Sequence, residues 1–145
     1  MRHKLFGVTA LAPNNAWAVG FYVKDFNQTR PELTLIEHWD GSSWQIVPSP
    51  NPGGSENNNF LRGITAVSAN DIWAYGTSIV ISSDLSSTLV LHWDGTSWAV
   101  VPSPDPIYKF LNDGLNGGAV FPTGDLWLVG TETVFRSLAL NATGQ

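Results

Sequence analysis

His38, Trp39 and Asp40 precede Gly41, Ser42 and Ser43, and the same order returns at His92, Trp93, Asp94, Gly95, Thr96 and Ser97. A histidine, a carboxylate and a hydroxyl within a few residues are the parts of a base and nucleophile arrangement. On an extended strand His38 and Asp40 would share one face, because side chains two apart point the same way. The spacing argues for a different role. "HWDGSSWQIVPSPNP" (38–52) and "HWDGTSWAVVPSPDP" (92–106) match at 11 of 15 positions and begin 54 residues apart. A reaction centre is normally unique, whereas a packing position returns with each structural unit. Asp40 and Asp94 are therefore expected to accept backbone N–H bonds in a tight turn, and His38 and His92 to bond a neighbouring loop or strand. No catalytic residue is assigned.

Other chemistry finds little support. His3, His38 and His92 are the only histidines, and no pair has metal-ligand spacing. "DFNQTRPE" and "DLSSTLV" lack the closely spaced oxygen ligands of a calcium loop. Gly117 and Gly118 open a strand rather than a phosphate loop. The absence of cysteine excludes disulfides and thiolate sites, so neither metal nor cofactor is expected. Seven Lys and Arg without a cluster, against a net charge of -5, leave out nucleic acid as a partner. No apolar run reaches the roughly 18 residues of a membrane span.

A second recurring segment sets the organisation. "LFGVTALAPNNAWAVG" (5–20), "LRGITAVSANDIWAYG" (61–76) and "LNGGAVFPTGDLWLVG" (115–130) align without gaps. The 145 residues thus hold two whole units, 5–60 and 61–114, and an incomplete third, 115–145. Each whole unit reads as four strands, a to d. Strand a is "GVTALA" or "GITAVSA", and a turn at Asn14-Asn15 or Asn70-Asp71 leads into strand b, "AWAVG" or "IWAYG". Strand c is "LTLIEHW" or "TLVLHW". Asp40-Gly41 or Asp94-Gly95 opens a hairpin into strand d, "SWQIV" or "SWAVV", which Pro-Ser-Pro ends. No window of helical length shows a 3.6-residue apolar period, so the chain is all-β.

A four-stranded meander repeated every 54 to 56 residues is the sequence form of a propeller blade. Over residues 5–130 the chain resembles the tandem bacterial β-propeller repeats that read roughly "SANDVWAVG … HWDGTSW … VPSP", broadly WD-type and kelch-like. The resemblance implies a partial propeller of about two and a half blades. It implies no single activity, because propellers host many. "DGSSW" is similar to the Asp-box hairpins of sialidase-like propellers, but its Gly stands one place too early. The opening "MRHKLFGVTALAPNNAWA" imitates a secretion signal, yet it aligns with two internal segments and is read as strands a and b of the first unit.

All seven tryptophans belong to the repeat and are expected to pack. Trp17, Trp73 and Trp127 share the strand b position, Trp39 and Trp93 that of strand c, Trp44 and Trp98 that of strand d. Variation lies elsewhere, in the b–c and d–a connections on one face of the meander, where function tends to reside. Phe21, Tyr22, Phe26 and Arg30 in the first b–c connection, and Tyr108 and Phe110 in the second d–a connection, have no counterparts in the other copy. They suit stacking on a sugar or anchoring a protein. The competing expectation is that Phe21 and Tyr22 extend strand b while Tyr108 and Phe110 pack between blades. Glu37 departs from Leu91 and Leu140 and either faces solvent or marks a local site.

The expectation from sequence is a non-enzymatic scaffold presenting long loops to a protein or carbohydrate ligand, outside the cell given its low charge and Asn/Ser/Thr-rich loops. The alternatives are a fragment of a glycosidase- or lyase-like propeller enzyme and a purely structural spacer. Because propellers close with about 4 to 8 blades, further blades are expected from a longer parent or from self-association.

Overall fold

Along strands b and c of the second unit the side chains alternate between two apolar sets, and that alternation places a sheet on either side of it. The structure, a computed structural model, describes residues 2–24, 31–103, 114–120, 125–132 and 136–141. Among these the strands are β1 (Arg2–Ala12), β2 (Asn15–Val23), β3 (Leu33–Trp39), β4 (Trp44–Ile46), β5 (Asn57–Ser68), β6 (Asp71–Val80), β7 (Ser86–Trp93), β8 (Trp98–Val100), β9 (Gly114–Val120), β10 (Leu126–Glu132) and β11 (Arg136–Asn141). They form three antiparallel sheets, each in meander order: β1-β2-β3-β4, β5-β6-β7-β8 and β9-β10-β11. The chain is all-β, and no sheet closes on itself.

Two cores follow from the period of two. Ile72, Ala74, Leu89 and Leu91 face the first sheet and join Trp17, Val19 and Ile36. Tyr75 and Val90, on the opposite face, join Leu115, Leu126 and Leu128 of the third sheet. Burying one such aliphatic side chain contributes about 1.5–3 kcal/mol. The second sheet is apolar on both faces and is held from both sides. The first and third sheets each have one covered face.

The glycine that ends "WAVG", "WAYG" and "WLVG" has a steric cause. β1 pairs Leu5 with Gly20 and Gly7 with Val19, so Phe6 is an extra, bulged residue. Arg62 is bulged in the same way between Leu61 and Gly63, and Asn116 between Leu115 and Gly117. A bulge bends its strand, and here the bend brings a carbonyl oxygen onto the facing glycine. A Cβ at Gly20, Gly76 or Gly130 would overlap the carbonyl of Lys4, Phe60 or Gly114 respectively.

The strands are longer than their sequences suggest. Strand a begins at Arg2 and Asn57, well ahead of Gly7 and Gly63, and strand b runs on to Val23 and Val80. Residues 77–87, which lie between the predicted strands b and c of the second unit, are therefore mostly strand, with only 81–85 between β6 and β7. Pro48 and Pro102 do fall just beyond the three-residue strands β4 and β8.

Gly76→Ala should lower the unfolding free energy by about 1–3 kcal/mol through overpacking against the Phe60 carbonyl. Urea unfolding would show this as a lower midpoint at unchanged slope.

Candidate functional site

At the end of each meander that carries the recurring histidine, the chemistry is turned inward on the fold. Asp40 Oδ1 accepts from the Ser42 amide at 2.8 Å, the Ser42 hydroxyl at 2.7 Å and the Ser43 amide at 2.9 Å. Asp94 Oδ1 does the same with the Thr96 amide at 2.8 Å, the Thr96 hydroxyl at 2.7 Å and the Ser97 amide at 2.9 Å. Gly41 and Gly95 take φ of 99° and 97°, which completes the expected Asp-Gly turn. These bonds, the Ser42 and Thr96 hydroxyls foremost, hold both carboxyls down to about 2. Carboxylates so engaged stay ionised across the neutral range and serve the turn.

His38 and His92 bond the a–b turn rather than the aspartates two residues on. His38 Nε2 lies 3.0 Å from Asn15 Oδ1, which also accepts the Trp17 indole N–H at 3.0 Å. In the second sheet His92 Nε2 lies 2.8 Å from Asp71 Oδ1, and the Trp73 indole N–H donates to that oxygen at 2.8 Å. Each imidazole also lies against the indole of its own sheet, with centroids 4.4 and 4.2 Å apart. An oxygen that accepts both bonds fixes the His proton on Nε2 and holds the ring beside the tryptophan.

The opposite end gathers the unrepeated chemistry. The Glu32 amide donates to Asn58 Oδ1 at 2.9 Å, and the Asn59 amide to the Glu32 carbonyl at 2.7 Å. The Ile81 amide donates to the Glu56 carbonyl at 2.9 Å, and Asn57 Nδ2 to Ser78 Oγ at 2.9 Å. These bonds tie the start of β5 to the residue before β3 and to the end of β6 and the loop that follows it. Burial pushes the Glu32 carboxyl up, while the charges of Arg2 and Lys4 pull it back. Below them, buried Thr34 secures "PSPN": its Oγ1 lies 2.8 Å from Ser49 Oγ, and its amide donates to Asn51 Oδ1 at 2.8 Å. Thr88 and Ser103 make the equivalent bond in the second sheet.

Phe21, expected as a candidate ligand contact, is instead a strand residue only 4% exposed. Its ring stacks on Phe6 at 5.9 Å and meets Phe60 edge-on at 5.2 Å, so it fills the gap between two sheets. Tyr22 also extends β2 and is half-buried. Phe26, Arg30, Tyr108 and Phe110 lie outside the described residues. Glu37 is half-buried on the first sheet's outer face, the counterpart of the face on which Leu91 is covered. The tryptophans divide: Trp17 and Trp98 are buried, Trp39, Trp73 and Trp93 are half-buried, and Trp44 and Trp127 remain 45% and 43% exposed.

A row that sequence reasoning passed over is formed by the bulged residues Phe6, Arg62 and Asn116. All three are exposed and occupy the same position of three neighbouring first strands. The Arg62 guanidinium lies 5.5 Å from the Phe6 ring centroid and 5.8 Å from that of Phe60. Cation–π contacts at these distances hold the charge between two rings. The signal was present in the aligned repeats, where Leu-Phe-Gly, Leu-Arg-Gly and Leu-Asn-Gly differ only in the middle residue.

Among the described residues no group of three or more His, Asp or Glu could hold a metal ion. No helix among them is long and apolar enough to cross a membrane. No family model, no curated protein and no solved structure matches the chain.

The two aspartate turns predict an acid transition of known sign. The folded value of about 2 lies below the ordinary 3.8, so the turns are fully stabilised above about pH 4 and lose this contribution as pH falls through about 2. The amide resonances of Ser42, Ser43, Thr96 and Ser97 should titrate together near that value, and Asp94→Ala should remove the transition from the second pair alone.

Proposed function

We propose that this chain is a segment of a β-propeller acting as a non-enzymatic scaffold, which offers its loop-bearing end and its bulged first strands to a protein or carbohydrate ligand outside the cell. The observation that carries this reading is the separation of repeated from unrepeated residues. The recurring His, Asp, Thr and Ser are engaged in bonds internal to their own sheets, as are the indoles of Trp17, Trp39 and Trp73. Exposed residues that differ from sheet to sheet stand at Phe6, Arg62 and Asn116, and the b–c and d–a connections differ in sequence from copy to copy. Blade character is supported by two four-stranded meanders with the same register and the same bulge, and by sheets that meet face to face in chain order. The Arg62 guanidinium between two rings and the aromatics Phe26, Tyr108 and Phe110 suit a ligand with both hydroxyls and an apolar face, which a sugar or a peptide supplies.

Glycan and peptide arrays probed with the whole chain should give binding that Arg62→Ala weakens by tenfold or more and that Tyr108→Ala with Phe110→Ala removes, at unchanged near-ultraviolet circular dichroism. Turnover of a glycoside or polyuronide would point to the enzyme reading. The absence of any ligand would leave the spacer.

A further inference from the structure

The contact between the first two sheets is a tryptophan set against a pair of tryptophans. Trp17 projects from the first sheet onto Trp93 and Trp98 of the second, with ring centroids 5.1 and 5.8 Å away, and is 4% exposed. Val19, on the same face of β2, is fully covered there. Both partners in this contact have uncovered equivalents elsewhere in the chain.

On the outer face of the first sheet, Trp39 and Trp44 stand where Trp93 and Trp98 stand in the second. Their rings are 5.7 Å apart at 47°, against 5.8 Å at 44° for the occupied pair. Trp44 is 45% exposed, and the flanking Leu5 and Val8, which match the buried Leu61 and Ile64, are 44% and 69% exposed. The receiving surface is thus formed before anything sits on it. At the other end, Trp127 and Val129 occupy the strand b positions of Trp17 and Val19, on the face of β10 opposite Leu126 and Leu128. They are 43% and 49% exposed.

We infer that a second copy of this chain docks head to tail, its Trp127 and Val129 entering against Trp39, Trp44, Leu5 and Val8 of the first. The occupant follows from complementarity, since each surface is the residue-by-residue counterpart of one half of a contact the molecule already makes. The inference rests on that internal contact and not on the propeller reading. The interface is heterologous, so a docked pair still has one donor surface and one receiving surface free, one on each copy, for the next. One element opposes it. Glu37 stands in the receiving face where Leu91 stands in the covered one, and burying a carboxylate without a partner is unfavourable. Association is therefore reversible, and Glu37→Leu tightens it by about tenfold or more.

Light scattering on the full chain over a range of concentrations tests this. The native chain should associate, and Trp127→Ser and Trp44→Ser, each at an exposed site, should both be folded monomers by near-ultraviolet circular dichroism. Mixed together, the two variants should form a dimer and nothing larger, because one retains only the receiving surface and the other only the donor. A native chain that stays monomeric, with Glu37→Leu also monomeric, overturns the inference and assigns these faces to other sheets of a longer polypeptide. Association that survives in either single variant overturns it as well, since a different surface would then be responsible.

Discussion

The indole of Trp17, seated against Trp93 and Trp98, joins the first sheet to the second, and most of the other local features serve to set up that contact. Asn15 and His38 fix the plane of Trp17 from within its own sheet. The Asp94 turn aligns Trp93 and Trp98 as directly opposed residues of β7 and β8, a pairing in which side chains approach closely. The glycine opposite each bulge lets strand a lie tightly on strand b.

This dependence explains why residues with catalytic potential do no catalysis in the proposed reading. A histidine bonded through Nε2 to a turn and stacked on an indole has its orientation committed. An aspartate accepting three bonds from its own loop has its charge committed in the same way. In that reading the residues left over for a ligand are the ones that the packing does not constrain, and they differ from sheet to sheet.

Much of this was readable from the sequence because the repeat supplied internal comparisons. The strand order, the Asp-Gly turns and the role of the recurring aspartates followed from spacing and turn chemistry. Strand ends did not, since polar stretches such as Asn57 to Asn59 give no period-two signal, yet they join the ladder through β6. Phe21 stayed between two expectations, a ligand contact and an extension of strand b, because an unrepeated aromatic can equally fill a gap between sheets, and only the Phe6 and Phe60 contacts decide which. Thr34 with Ser49 and Thr88 with Ser103 were missed although both pairs keep their spacing, because hydroxyl pairs have no recognisable sequence signature. The unequal exposure of equivalent tryptophans depends on whether a neighbouring sheet is present, which no local pattern encodes.

The bulged position bears on how such a molecule can diversify. Residues 6, 62 and 116 are extra to the ladder and outside both cores, so Phe, Arg and Asn are accommodated by one backbone. Each sheet therefore carries a site at which a substitution alters the surface without disturbing strand pairing, although Phe6 and Arg62 also touch the rings between the first two sheets. Duplicated units can diverge there independently, and their combinations multiply with each added unit.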